Sequence, residues 1–320
     1  MKIAILDDYQ DVVRELACFS RLNGHEVVVF NDSPVDVDIL AERLNDVEAL
    51  VLIRERTSIS ETLLQRLPKL RLISQTGKVS QHIDPALCQK YGVTVVQGAG
   101  SPVAPSELCW ALLMSAYRHI PGYVHQLKNG LWQHSGLGLG RVLNGKTLGI
   151  WGYGKIGQRI ARYAKAFDMS VIVWGSESSR LLAEQHGFYG ATDKASFFKE
   201  CDIISLHLRL NEATCYCVKA KDLALMKDDS LLVNISRSEL IEPGALYRDL
   251  KMHPTKMAAI DVFEAEPATA QSEPLLALPN VVATPHIGYV EQCSYELYFN
   301  AAFANVVAFA QGRPKNVVEI

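Results

Sequence analysis

Short apolar runs alternate with stretches of helical periodicity along the whole chain. The first set comprises Ile3 to Leu6, Glu26 to Phe30, Ala49 to Ile53, Leu70 to Ser74 and Val93 to Val96. The second comprises Thr147 to Trp151, Ser170 to Trp174, Ile203 to Leu206, Leu231 to Ile235, Met257 to Val262 and Val281 to Ala283. Runs this densely apolar, without strict alternation, suit strands buried on both faces, and their alternation with helices predicts parallel sheets. Two such sets predict two doubly wound α/β domains.

The boundary falls near residue 100, where Gly98-Ala99-Gly100-Ser101-Pro102 reads as a loop and a helix is expected from about Ser106. A second crossing falls near Gly288. Beyond it Tyr295, Phe299, Ala302, Val306 and Phe309 fall on one helical face that ends at Gly312 and Pro314. A lone helix after a complete sheet needs a docking partner, and a return to the first domain is expected. The predicted division is 1–100 with 289–320, and 101–288.

Composition adds limits. The chain has 320 residues, 48% apolar and 21% charged, with a net charge of -3 and no block of one sign. These values give no reason to expect nucleic acid or a membrane surface as partner. No apolar run approaches the roughly 20 residues that span a bilayer. The opening Met1-Lys2-Ile3-Ala4-Ile5-Leu6-Asp7-Asp8 reads as a strand entering a turn, not a signal peptide, so a cytoplasmic location is expected. The seven cysteines are scattered, and neither they nor the nine histidines show metal-ligand spacing. Reduced thiols and no metal are the expectation.

The most informative local motif is Gly152-Tyr153-Gly154-Lys155-Ile156-Gly157. It follows the strand Leu148-Gly149-Ile150-Trp151 and opens a helix with Ile156, Ile160, Tyr163 and Phe167 on one face. That context is what a dinucleotide-binding fingerprint requires. Gly152 would allow the tight turn, Gly154 the approach of backbone to pyrophosphate, and Gly157 close packing of helix on strand. An acid is expected at the end of the next strand to bind the ribose hydroxyls. Here the chain reads Gly175-Ser176-Glu177-Ser178-Ser179-Arg180. Gly175 removes the repulsion toward a 2′-phosphate, which Ser176 and Arg180 would bind. Alternatively, Glu177 recovers the ribose contact and Arg180 is a solvated helix residue. NAD and NADP both stay open.

Three segments carry candidate chemistry: Val233-Asn234-Ile235-Ser236-Arg237, Ile260-Asp261-Val262-Phe263-Glu264-Ala265-Glu266-Pro267 and Thr284-Pro285-His286-Ile287-Gly288. Each places polar residues at the expected carboxyl end of a parallel strand, where open α/β sheets bind ligands. Their order and spacing resemble the D-isomer-specific 2-hydroxyacid dehydrogenase family. Arg237 and Glu266 stand 29 positions apart as the family's arginine and glutamate do, and His286 sits in its Pro-His-x-Gly setting. The likeness runs from the Arg54 region through the glycine loop to His286.

The resemblance implies a Rossmann-type cofactor domain, a flavodoxin-like substrate domain and a homodimer formed through the Ser106 to Leu137 region. It implies that the protein interconverts a small 2-hydroxy acid and its 2-oxo acid. Arg237 would hold the substrate carboxylate, His286 would be the acid/base, and Glu266 would orient and charge His286. Asp261 would contact the nicotinamide end, and Lys155, Ile156, Ser176, Leu208, Ile235 and Gly288 would also line the cofactor. Arg54, with the loop Thr76-Gly77-Lys78, would meet the substrate from the first domain. The chemistry suits these residue types. A guanidinium grips a carboxylate with two parallel hydrogen bonds, and an imidazolium hands a proton to the reduced carbonyl oxygen.

Each residue has a plainer reading: ion-pair arginine, loop carboxylate, capping histidine, surface arginine. Together and in this order those readings explain little. His207, at another strand end, is read as lining the cofactor cleft through its neighbouring backbone. The loop Gln75-Thr76-Gly77-Lys78-Val79-Ser80 departs from the family in having one glycine, and Lys78 either adds a charge for a dianionic substrate or faces solvent. The Ala104-Pro105-Ser106-Glu107 stretch also matches only partly. The alternatives are a nucleotide-sensing binding module with little turnover, and oxidation of a small anion. Formate enzymes of the family carry glutamine where this chain has Glu266.

Overall fold

The computed structural model describes every residue except Ser33, Val35 and Ile320. The chain forms two compact units, Met1–Ser101 with Val290–Ile320, and Pro102–Tyr289.

The first unit begins with β1 (Lys2–Ile5), β2 (Glu26–Val29), α1 (Val37–Leu44), β3 (Ala49–Leu52), α2 (Glu61–Gln65), β4 (Leu72–Gln75), α3 (Pro85–Lys90) and β5 (Thr94–Gln97). The sheet order is β2-β1-β3-β4-β5, with every pair parallel, which is the flavodoxin-like order. Helix starts follow local chemistry. The Ser60 side chain accepts the Leu63 amide, and Asp84 accepts those of Ala86 and Leu87 with Pro85 opening the helix. Leu40, Leu44, Leu63, Ile73 and Ile83 close the core on one face.

The second unit contains α4 (Val103–Tyr117), α5 (Ile120–Lys128), β6 (Thr147–Trp151), α6 (Lys155–Ala166), β7 (Ser170–Trp174), α7 (Glu177–Gln185), β8 (Tyr189–Gly190), α8 (Lys194–Glu200), β9 (Ile203–Leu206), α9 (Ala220–Leu223), β10 (Leu231–Asn234), α10 (Ala245–Met252), β11 (Met257–Ile260) and β12 (Val281–Ala283). Its sheet runs β12-β11-β10-β9-β6-β7-β8, again with every pair parallel. The order reverses between β6 and β9, so the carboxyl ends of these strands form the ligand crevice of the sheet. Apolar α4 packs on α6, β10, β11 and β12. The final helix, α11 (Gln292–Ala310), packs in the first unit on β3, β4 and β5, where Ser74 Oγ donates to the Ala302 carbonyl at 3.0 Å.

The two doubly wound sheets are those that the apolar runs predict. Four runs coincide with β6, β7, β9 and β12, and most of the others differ by a residue or two at their ends. β10 stops at Asn234, whose side chain accepts the Ser236 amide and donates to the Arg237 carbonyl, turning the chain before Ile235 can extend the strand. The expected helix start at Ser106 lies one turn late: α4 begins at Val103, and Ser106 Oγ donates to the Pro102 carbonyl. Phe167 is a C-cap residue packed against Trp110 at 5.1 Å, not an interior position of α6.

Candidate active site and cofactor loop

The glycine loop of the second unit leaves β6 at Gly152, which has φ of +100°, open to glycine and costly to other residues. A Cβ there would stand 2.6 Å from the His207 carbonyl, and one at Gly157 would collide with the Gly152 carbonyl. At Gly154, the N-cap of α6, a Cβ would meet nothing within 4 Å, and no side chain caps the helix. Tight packing beneath, open space above and uncapped amides at a helix N-terminus fit a dinucleotide pyrophosphate.

The end of β7 differs from the first expectation. Gly175 has φ of +153°, a conformation that L side chains rarely adopt, so backbone geometry as well as charge disfavours an acid there. Ser176 caps α7, and its hydroxyl also bonds those of Ser178 and Ser179, each at 3.0 Å. Arg180 is half-buried and not a solvated residue. Its guanidinium stacks 5.1 Å above the Trp174 ring and donates to the Ala191 carbonyl at 3.0 Å. One face and one N–H of this guanidinium are thus already engaged within the unit.

The next strand ends complete the unit. His207, after β9, bonds through Nε2 with Ser205 Oγ at 2.9 Å, and Ser205 Oγ lies 3.4 Å from Cys109 Sγ. Nδ1 of His207 is buried without a hydrogen-bond partner among the described residues. Burial pushes this imidazole down to about 3. Ile235 and Arg237 follow β10, and Arg237 Nη1 donates to the Ser236 carbonyl at 2.6 Å.

Past β11 lies Asp261, fully buried. Its Oδ1 accepts the Thr284 hydroxyl at 2.6 Å and the Ile287 amide at 2.8 Å, and its Oδ2 accepts the Gly288 amide at 2.8 Å. Burial pushes its carboxyl above the ordinary value, against the Thr284 hydroxyl, the two amides and the charge of His286. This carboxylate therefore fastens the loop after β12 that carries His286, a task that spacing alone did not reveal.

His286, itself at φ of +51°, bonds through Nδ1 with Glu266 Oε2 at 2.7 Å. Glu266 Oε1 accepts the Phe263 amide at 3.1 Å. Burial alone would raise the Glu266 carboxyl. The bond and charge of His286, the Phe263 amide and the Arg237 charge together outweigh burial and hold it below its ordinary value. The structure thus joins Glu266 and His286 directly and places the Arg237 charge within their field.

In the first unit, Arg54 follows β3 with φ of +56°. A Cβ on Gly77 would stand 3.0 Å from Arg54 Nη1, so the guanidinium lies over the loop after β4. Thr76 is buried, and Lys78 is exposed. Gln75 and His82, which sequence reasoning passed over, lie behind this loop.

With this geometry in view, the chain matches the profile of the D-isomer specific 2-hydroxyacid dehydrogenase NAD binding domain over residues 110–288. It is 36% identical over 289 residues to the glyoxylate reductase of Thermococcus litoralis, covering 88% of this chain and 86% of that protein. It is also 36% identical over 250 residues to the D-3-phosphoglycerate dehydrogenase of Methanocaldococcus jannaschii. That match takes in 78% of this chain but only 47% of the relative, so the match spans about half that protein's length. A crystal structure of a phosphoglycerate oxidoreductase from Vibrio cholerae superposes with a TM-score of 0.96 at 61% identity, covering 98% of this chain and 99% of that one. The chain belongs to the D-isomer specific 2-hydroxyacid dehydrogenase family. It is accordingly an oxidoreductase that uses a nicotinamide dinucleotide and acts between a 2-hydroxy acid and a 2-oxo acid. Among the described residues no helix is long and apolar enough to cross a membrane.

Proposed function

We propose that the chain reduces small 2-oxo acids of the glyoxylate and hydroxypyruvate kind, with the second unit holding NADH or NADPH and the first contributing substrate contacts. The observation that carries this reading is the 2.7 Å bond between Glu266 and His286 with the Arg237 charge beside it. When bound, the nicotinamide supplies the hydride. The chain does the rest. Arg237 grips the substrate carboxylate with two parallel hydrogen bonds. Glu266 occupies Nδ1 of His286, so Nε2 is the atom that donates a proton to the carbonyl oxygen as negative charge develops there. Glu266 is a positioning residue, since it acts through the ring. Asp261 fixes the loop that carries His286 and closes the nicotinamide end. Gly152, Gly154, Lys155, Ile156, Gly157, Ser176, Leu208, Ile235 and Gly288 line the cofactor, and Arg54, Thr76, Gly77 and Lys78 meet the substrate.

The test is a panel of 2-oxo acids assayed with NADH and with NADPH, followed by loss of reduced-cofactor absorbance. Reduction of a short 2-oxo acid supports the reading. Tight binding of the dinucleotide with no turnover of any acid would return the sensing-module alternative. NADPH is accepted alongside NADH, because Gly175 stands directly after β7 where an acid would repel a 2′-phosphate. Direct fluorescence titration of each reduced cofactor checks this. Ser176→Asp is the variant to compare, since Gly175 cannot easily carry a side chain.

The same reading includes a cytoplasmic homodimer. Ile120, Val124, Leu127, Trp132 (66% exposed) and Leu139 (94% exposed) bring apolar side chains to the surface of α5 and the loop that follows. α4 is largely buried within its own unit, so the contact is drawn to residues 120–142 instead of the whole Ser106 to Leu137 span. Sedimentation of the wild type and of Leu127→Glu/Trp132→Glu tests it; a wild-type monomer at micromolar concentration rejects it.

A further inference from the structure

The interior of the first unit carries a polar residue where its pattern calls for an apolar one. Along β4, Ile73 joins the core on one face while Ser74 turns to α11 on the other. Strand alternation puts Gln75 on the face of Ile73. Gln75 is nevertheless fully buried, and a buried carboxamide is costly unless both its ends are bonded. Both are bonded. Its Nε2 donates to the Arg54 carbonyl at 2.7 Å, and its Oε1 lies 3.3 Å from Nε2 of His82.

These bonds converge on the residue that most needs them. Arg54 stands at φ of +56°, a left-handed conformation that costs an L residue roughly 1–3 kcal/mol unless its surroundings impose it. Its amide reaches Thr76 Oγ1 at 3.4 Å, and its carbonyl is the Gln75 acceptor. Behind the clamp, the Ile59 amide donates to the His82 carbonyl at 2.8 Å, and Ile59 pairs with Ile83 in a parallel bridge. The segment leaving Arg54 is therefore tied to the segment that carries His82. The loop after β4 is held in turn, since Gly98 donates to the Gly77 carbonyl at 2.9 Å and a Cβ at Gly98 would lie 2.6 Å from the Thr76 carbonyl.

We propose that Gln75, braced by His82, is a positioning residue that imposes the left-handed backbone of Arg54 and so aims its guanidinium over Gly77 at the substrate. This rests on the reading of Arg54 as a substrate contact. The donor half of the carboxamide is the operative part, because a carbonyl oxygen only accepts and the N–H is the carboxamide's only donor. Without it, Arg54 relaxes toward negative φ and its side chain leaves the Gly77 peptide.

The experiment compares Gln75→Leu, Gln75→Glu, Arg54→Ala and the double variant Gln75→Leu/Arg54→Ala by steady-state kinetics with a 2-oxo acid. The Gln75→Leu variant should raise KM for the oxo acid about tenfold, the effect of one buried hydrogen bond, with kcat within about twofold and KM for the reduced cofactor unchanged. Gln75→Glu keeps the acceptor and should behave likewise at a pH high enough to ionise its buried carboxyl, whereas the protonated acid, whose O–H can donate to the Arg54 carbonyl, should bring KM back toward wild type. The double variant should be little worse than Arg54→Ala alone, since the clamp has nothing left to aim. Independent, multiplying losses in the double variant overturn the proposal. So does a Gln75→Leu variant that keeps its KM, or one that changes kcat and both KM values together. If Arg54→Ala itself leaves KM unchanged, the reading of Arg54 fails, and this inference fails with it. If Arg54→Ala raises KM while Gln75→Leu does not, the clamp alone is wrong.

Discussion

The strand-end loops of the two units hold their functional side chains by different means. In the second unit ionisable groups hold one another: Glu266 bonds His286, the Arg237 charge acts on Glu266, and the buried carboxylate of Asp261 pins the Ile287 and Gly288 amides after His286 and the Thr284 hydroxyl before it. In the first unit Arg54 is fastened at its backbone by neutral groups, the Gln75 carboxamide and the Thr76 hydroxyl. The difference matches the tasks. An acid/base group benefits from a partner that settles its tautomer and favours its charged form. A binding cation needs its backbone fixed first, which neutral groups do here, while its charge is met separately by the Glu55 carboxylate, 3.7 Å from Arg54 Nε.

The largest effect is expected where the charged assembly is cut at its centre. His286→Ala should lower kcat about a hundredfold to ten-thousandfold, the usual range for removing a general acid. Fluorescence titration should find binding of the reduced cofactor unchanged, because the glycine loop is intact. A kcat within a few fold of wild type would move the proton donor elsewhere. A smaller loss is expected for Arg237→Lys. The positive charge survives but the two-pronged grip does not, so kcat/KM should fall roughly ten- to a hundredfold. Near-normal turnover in a folded variant would take Arg237 out of the substrate site.

Much of the second unit's assembly is legible in the chain because it sits in contiguous motifs. The runs that became β6, β7, β9 and β12 are apolar but for Thr147, Gly149, Ser170 and Ser205, and the glycine loop joins strand to helix in one segment. Glu266 and His286 can be paired on paper because the family's spacing pairs them. The first unit is less transparent. Gln75 reads as a loop residue until the register places it opposite Leu52, and its bonds to Arg54 and His82 depend on packing that no local pattern encodes. Arg180 shows the same gap in reverse. Its position invites a phosphate, but Trp174 lies where the guanidinium can stack on it. β8 is only Tyr189–Gly190, too short to give a periodic signal.

The smallest effect separates a buried neutral group from a paired charged one within the second unit. His207 has its imidazole lowered from 6.5 to about 3 by burial. Between those values the unfolded chain binds the proton and the folded chain does not, so stability falls as pH drops from 6.5 toward 3. One proton gives a slope of at most about 1.4 kcal/mol per pH unit, and less for a ring that solvent partly reaches. Glu266 has the other kind of shift. Its carboxyl is depressed, so its contribution is present above the ordinary value of 4.5 and is lost as pH falls through the lower folded value. His207→Asn should therefore flatten the loss of stability that begins near pH 6.5, while Glu266→Gln should differ from wild type in slope only around and below pH 4.5. Denaturant unfolding at intervals from pH 7 down to pH 3 would separate the two. A His207→Asn variant that keeps the wild-type slope between pH 6.5 and 5 would mean that the buried ring takes up its proton without unfolding. His207 would then join Glu266 among the charged groups of the strand-end loops, and the unpartnered Nδ1 would be the atom that accepts the proton.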